Sequence, residues 1–309
     1  MWGMSDFLVI GECVADIVRT PGEPDVPHPG GSPANVAYGL ARLGRDTALL
    51  TQLGDDPSGK LIGDHLRSAG VALLADAQHD VRTPTAVVTL DGQGAARYDF
   101  DITWTLEEVE PPAGVRHVHL GSIAAVTEPG ATGTVAVVER LRAAATVSYD
   151  PNVRPELMGA HAEGLAAVER CVALSDVVKA SDEDIAWLHP GQPLAAVAAR
   201  WLAAGPAVVF VTMGAQGAAA FTAGGQVTGT PVPAEVVDTV GAGDSFMSAV
   251  LDALTELGLT GAANRTALAA LDTDTLAGIL RHAGTAAAIT VSRAGANPPT
   301  TDELHAALG

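Results

Sequence analysis

Asp238-Thr239-Val240-Gly241-Ala242-Gly243-Asp244-Ser245-Phe246 follows an extended segment and opens an apolar helical run, Phe246 to Leu257. The small residues Gly241, Ala242 and Gly243 let backbone N–H groups approach a ligand without a bulky side chain between them. Those N–H groups fall in the first helical turn, where they lack intrahelical partners and the helix dipole adds roughly half a positive charge. The pattern therefore describes an anion site, and phosphate is the usual anion there. Asp244 puts a carboxylate into the same turn. An acid repels phosphate unless it has a task, and taking a proton from an attacking hydroxyl is such a task. An aspartate that only favours the helix dipole would account for Asp244, but not for the three small residues before it. The stretch points to phosphoryl transfer.

Working outward, hydrophobic periodicity predicts a buried strand at Phe7 to Ile10 and a second extended piece at Val14 to Arg19. The segment 21–29, rich in Pro and Asp, reads as loop. Ser32 is the expected cap of a helix that carries Pro33 in its first turn, runs to Leu43 and stops at Gly44. A strand at 47–53 and a helix at 57–69 follow. Thr85 to Leu90 and Ala96 to Asp101 flank Asp91-Gly92-Gln93-Gly94 as a hairpin, polar on one side, which suits a small sheet wet on one face. The alternating order then resumes, with strands expected at 117–120, 146–150, 177–179, 207–212 and 218–221. Helices are expected at 130–145, 182–188, 194–204, 273–291 and 301–308. This alternation argues for a parallel sheet covered on both faces. With no internal repeat and no dividing linker, the expectation is one α/β domain over residues 1–309 with a small β appendage.

Composition narrows the partners. The net charge of −19 argues against a nucleic-acid backbone or an anionic membrane surface, and makes any phosphate site a local feature working against the global field. Hydrophobic residues make up 48%, enough for a large core. Cys13 and Cys171 form neither a disulfide framework nor a metal spacing and read as buried thiols in a reducing compartment. No basic, apolar leader and no membrane-length apolar run is visible, so the expected location is the cytoplasm.

Other motifs compete for the ligand. Gly54-Asp55-Asp56-Pro57-Ser58-Gly59-Lys60-Leu61 matches a P-loop up to its lysine, but Leu61 replaces the Mg²⁺-binding Ser or Thr and two aspartates oppose a triphosphate. It reads as a turn with a helix start. Gly241-Ala242-Gly243 also lacks the third glycine of a dinucleotide fingerprint. His117 and His119 share a strand face but have no third ligand at zinc spacing, and read as structural. Asn152 and Arg154, in Asp150-Pro151-Asn152-Val153-Arg154-Pro155, lie just past a strand end, where ligands collect in open α/β sheets. Thr212-Met213-Gly214-Ala215-Gln216-Gly217 is a second strand end, and Lys179, one of the chain's two lysines, precedes Ser181, Asp182, Glu183 and Asp184.

Taken together, these residues resemble the ribokinase-like, or PfkB, family of carbohydrate kinases. Gly30-Gly31 followed by Asn35 and a helix ending at Leu43-Gly44 is one specific pattern of that family, and Asp238 to Phe246 is the other. Gly11-Glu12 with Asp16, Gly54-Asp55-Asp56, Asp150 with Asn152 and Arg154, Thr212 with Gly214 and Gly217, and Arg293 to Pro298 follow in the family's order. The resemblance implies a three-layer α/β/α sandwich with a mostly parallel central sheet and a small β-sheet lid, about 14–32 and 85–104. It implies transfer of the γ-phosphoryl of ATP to a sugar hydroxyl, usually a primary one. Asp244 would be the base, and Gly241, Ala242 and Gly243 would bind the developing charge. Asp16, Gly30, Gly31, Asn35, Tyr98 and Asn152 would bind substrate, and Arg154 would reach the substrate or the transferring group. Lys179, Ser181, Thr212, Gly214, Gly217 and Gly243 would line the ATP site. Mg²⁺ would enter with ATP near Asp184, and Asp238 stands where many relatives bind a monovalent cation such as K⁺. A homodimer through the lid is the expected assembly.

Two positions depart from the family. Its Asn-x-x-Glu element is Ser181-Asp182-Glu183-Asp184 here, with a carboxylate one methylene shorter, and Gly284 replaces an Asn near the nucleotide base. Gly11-Glu12, Gly31 to Asn35 and Asp150 to Arg154 are most similar to fructokinases, so fructose is the favoured acceptor. A 2-keto-3-deoxygluconate-type sugar acid would also use Tyr98 and Arg154. A sugar or nucleotide sensor without turnover is the contrasting class, against which the acid retained in the anion site argues.

Overall fold

Alternation within very short strands decides how the layers form. In the first strand, β1 (Phe7–Ile10), Phe7 and Val9 pack with one hydrophobic core and Leu8 and Ile10 with another, as a two-residue side-chain period requires. The computed structural model describes residues 5–19, 24–74, 81–90, 96–107 and 109–309. The remaining strands are β2 (Val14–Arg19), β3 (Pro27–Gly30), β4 (Thr47–Leu50), β5 (Ala72–Leu74), β6 (Thr85–Leu90), β7 (Ala96–Asp101), β8 (His117–Gly121), β9 (Thr146–Asp150), β10 (Val177–Ser181), β11 (Val208–Thr212), β12 (Ala218–Thr222) and β13 (Gly225–Thr228).

The larger sheet has nine strands in the order β13-β12-β11-β10-β9-β8-β1-β4-β5. It is parallel from β5 to β11, with β12 and β13 antiparallel at one edge. Helices α3 (Gly130–Leu141), α4 (His161–Leu174), α5 (Asp182–Leu188) and α6 (Leu194–Ala204) cover one face. The other face carries α1 (Ser32–Arg42), α2 (Pro57–Ser68), α7 (Ala242–Glu256), α8 (Arg265–Ala269), α9 (Thr273–Val291) and α10 (Thr301–Leu308). A second, smaller sheet, β3-β2-β6-β7, is formed by the segments in which the lid is expected. The chain thus has the three-layer α/β/α arrangement with a mostly parallel central sheet that the resemblance implies.

Several local expectations are corrected. Part of the loop expected at 21–29 is β3, antiparallel to β2. Pro27 and Pro29 are tolerated because β3 is an edge strand with no further ladder to supply. Helix α3 stops at Leu141 rather than Ala145, and the Ala144 N–H turns back to the Leu141 carbonyl in a tighter i→i−3 bond. The fourth strand ends at Leu50 rather than Leu53. Helix α4 and the short strands β5 and β13 were not anticipated. The hairpin turn 91–94 lies outside the described residues. Among the described residues no helix is long and apolar enough to cross a membrane.

Candidate active site

Adjacent parallel strands end together, so the residues just past β1, β8, β9, β10 and β11 converge on one rim of the sheet. Helices α1 and α7 bring their first turns to the same rim. Helix α7 starts after Gly241, whose φ of +75° is left-handed backbone that glycine adopts without penalty. No side chain caps this helix; the Ala242 N–H reaches the Thr239 carbonyl at 3.3 Å, and the N–H groups of Gly243 and Asp244 remain available to a ligand. A Cβ on Gly243 would lie 2.8 Å from Lys179 Nζ, so the absent side chain keeps a space open between the turn and the lysine.

Lys179 itself is buried and donates to Asp150 Oδ2 at 2.9 Å. Burial presses its ammonium toward neutrality, but Asp150, Asp184 and Asp244 outweigh that and hold the pKa above the ordinary lysine value. A fixed positive charge therefore lies beneath the turn. Ser181 and Thr212 are register partners on β10 and β11, which places these two expected nucleotide contacts side by side. Gly214 and Gly217, both at positive φ, shape the short turn that follows.

Asp244 is 9% exposed and joins the two helices. Its Oδ1 accepts from Ser32 Oγ at 2.6 Å and its Oδ2 from Asn35 Nδ2 at 2.8 Å. Ser32 is thus not the cap of α1, a correction to the sequence reading: Gly31 takes the N-cap position and the serine hydroxyl turns to the carboxylate. Nothing in the local sequence announces this contact, which spans 212 residues. The smaller sheet adds Asp16, whose carboxylate occupies space that a side chain on Gly30 would claim, a Cβ there falling 2.0 Å from Asp16 Oδ2. Burial pushes Asp16 up to about 6, with Arg154 and His28 pulling the other way and Asp244 adding to the rise. Tyr98 pairs with Val88 along β7, but its side chain lies outside the described residues.

The loop after β9 is held from three sides. Asn152 adopts a φ of +38°, its N–H donates to Asp150 Oδ1 at 3.2 Å, and its Nδ2 donates to Ser122 Oγ at 3.1 Å. Ser122 is itself at φ +56°. The exposed Arg154 donates to the carbonyls of Val153 and Asn152. Buried Glu12 lies close by, accepts from the Ala124 N–H, and is pushed by burial to about 7, with Ser122 and Arg154 among the groups that oppose the rise. Asp184 accepts from the Val153 N–H at 2.8 Å and the Ser181 N–H at 2.7 Å, welding this loop to the start of α5. Asp238 accepts from the N–H groups of Val240 and Gly295, outside that cluster and ahead of the α7 turn. The two strand histidines are buried and hydrogen-bonded to Thr146 and Ser148, and burial drives both down to about 3.

A family model described as pfkB family carbohydrate kinase matches residues 4–303. A fructokinase of Klebsiella pneumoniae is 35% identical over 263 residues, spanning 81% of this chain and 85% of that protein. A fructokinase of Rhizobium leguminosarum bv. trifolii is 34% identical over 262 residues, spanning 80% and 79%. A double mutant of the Vibrio cholerae O395 fructokinase, solved with fructose, ADP and potassium ion, aligns with a TM-score of 0.82 at 28% identity over 99% of both chains.

Proposed function

The chain belongs to the pfkB family of carbohydrate kinases, and from that premise we propose that it transfers the γ-phosphoryl of ATP to a primary hydroxyl of a small sugar, with fructose the favoured acceptor. One observation carries the reading. Asp244 stands between an uncapped helix turn suited to phosphate and the first turn of α1, whose Asn35 faces the acceptor side.

In this reading Asp244 takes the proton of the attacking hydroxyl, while the turn at Gly241, Ala242 and Gly243 stabilises charge on the transferring group. Asp16, Gly30, Gly31, Asn35, Tyr98 and Asn152 fix the sugar, and Arg154 reaches across the same end. The nucleotide fits the other half: the open space at Gly243, the charged Lys179 below it, and the paired strand ends at Ser181 and Thr212. Phosphoryl transfer asks for alignment and charge stabilisation more than covalent chemistry, and these residues supply both.

Mg²⁺ prefers oxygen ligands and is commonly held by phosphates with one or two carboxylates. Asp184 suits that part, since each of its oxygens keeps a lone pair beyond the N–H it accepts. When bound, the ion neutralises charge on the β- and γ-phosphates. Asp238 is the proposed anchor for a monovalent cation, and the Vibrio cholerae relative was solved with potassium. Val18 and Val26, more than half exposed on and beside the lid, support a dimer through that sheet.

A coupled ADP-release assay against a panel of sugars and sugar acids tests the proposal. Fructose is expected to give the highest kcat/KM. Preference for a 2-keto-3-deoxy acid would move the assignment within the family. Binding without turnover for every sugar would leave a sensor.

A further inference from the structure

Asp244 has two oxygens and two donors, and the donors differ in one respect. Ser32 is buried, at 8% exposure, whereas Asn35 is half-buried. The hydroxyl bond at 2.6 Å has the length of a charge-assisted contact to a carboxylate. Ser32 is free to make it because it does not cap its own helix.

We propose that Ser32 is a positioning residue that, together with Asn35, fixes the orientation of Asp244 with Oδ2 toward the acceptor. The inference rests on the reading of Asp244 as the base. An acceptor hydroxyl can compete with Asn35 for Oδ2, but buried Ser32 keeps Oδ1. The acceptor proton then passes to Oδ2 while the acceptor oxygen forms its bond to the γ-phosphorus. The bond from that phosphorus to the β-phosphate oxygen breaks, and ADP leaves with that electron pair. Each oxygen keeps a lone pair beyond the donor it holds, so the acceptor hydroxyl meets a carboxylate that is already oriented. Ser32 therefore serves rate through Asp244 and not through substrate.

The test compares wild type, Ser32→Ala, Ser32→Thr and Asp244→Asn, measuring sugar phosphate formed and ADP released per folded enzyme. Removing one orienting donor should lower kcat of Ser32→Ala about 5–20-fold, a fraction of the full worth of a positioned base. The KM values for sugar and ATP should stay within about 2-fold, because Ser32 touches neither ligand. Ser32→Thr, which keeps the hydroxyl, should restore the rate. Wild-type kcat in Ser32→Ala would overturn the inference. So would a raised sugar KM at unchanged kcat, which would assign the hydroxyl to acceptor binding. A wild-type enzyme with no sugar-dependent ADP release sinks the kinase reading itself, and that arm is read before any variant.

Discussion

The turns at 54–60 and 241–244 both lead into a helix and both combine glycine with aspartate, yet their donors have opposite fates. At α2 the carboxylate of Asp56 takes the N-cap position, accepts from the Gly59 N–H at 2.8 Å and from the Thr83 N–H at 3.0 Å, and leaves Lys60 exposed. The turn satisfies itself. At α7 the N-cap is a glycine, and the carboxylate within the turn, Asp244, has been drawn away by Ser32 and Asn35. The N–H groups of Gly243 and Asp244 are left for something else. An anion site is thus decided by where the local aspartate finds its partners, more than by the number of glycines. That depends on contacts far away in sequence.

The largest test of this contrast removes the carboxylate at each turn. Asp244→Asn should lower kcat about 10²–10⁴-fold, the usual worth of a positioned base, with ATP still bound. Near-normal turnover would place the base elsewhere and erase the difference between the turns. Next comes the open space. Gly243→Ala puts a methyl 2.8 Å from Lys179 Nζ, and that lysine cannot swing aside without breaking its buried bond to Asp150. A displacement of this size should lower kcat/KM for ATP about 10–100-fold, while leaving sugar binding nearly intact. Titration calorimetry with each ligand separates the two. Equal damage to both affinities would mean that the turn does not belong to the nucleotide half.

A smaller effect is expected on the acceptor side with pH. Asp16 is held at about 6, chiefly by burial, so it is ionised at neutral pH and gains its proton as the pH falls through 6. Sugar KM should rise about 3–10-fold between pH 7 and 5, as one charged acceptor for sugar hydroxyls is lost. The stability linkage has the opposite sign. A carboxyl whose folded pKa is raised favours the folded state at low pH and loses that contribution as the pH rises through the ordinary range to 6. Asp16→Asn should therefore gain stability over wild type at pH 7, and the gain should fade toward pH 4. Thermal melts at the two pH values check this; a gain that grows in acid would contradict the burial of the charge.

Much of this was legible because local chemistry marked it. Helices α9 and α10 lie where periodicity placed them, and each begins at a side-chain cap, Asp272 and Thr300. The α7 turn and Lys179 were visible as residue types in an unusual place. Three things were not visible. The edge strand β3 is written in prolines that a central strand would reject. Asp184 looked like a metal position, and its bond to the Val153 N–H, 31 residues away, could not be read from spacing. Ser32 looked like a cap because serine before an apolar helix usually is one. Local rules locate helix ends, whereas long-range packing decides which donor meets which acceptor.

Asp56→Ala should have the smallest effect and completes the contrast. Loss of an N-cap side chain costs about 1 kcal/mol, and the freed Thr83 N–H at the approach to β6 adds a little to that. Burial works against the charged form of Asp56, but the bonds from Gly59 and Thr83 outweigh it and hold its pKa below the ordinary range. A depressed carboxylate stabilises the fold above its unfolded pKa and loses that contribution as the pH falls through the folded value. The stability gap between wild type and Asp56→Ala should accordingly be full at pH 7 and narrow in acid, with wild type the more stable, opposite in sign to the Asp16 gap. KM for ATP should not change, since the α2 turn holds no nucleotide in this reading. Denaturant melts at several pH values and a nucleotide KM measurement check both halves. If Asp56→Ala weakened ATP binding, the turn at 54–60 would have to be counted as part of the phosphate site, and its likeness to a P-loop would be more than a coincidence of glycines.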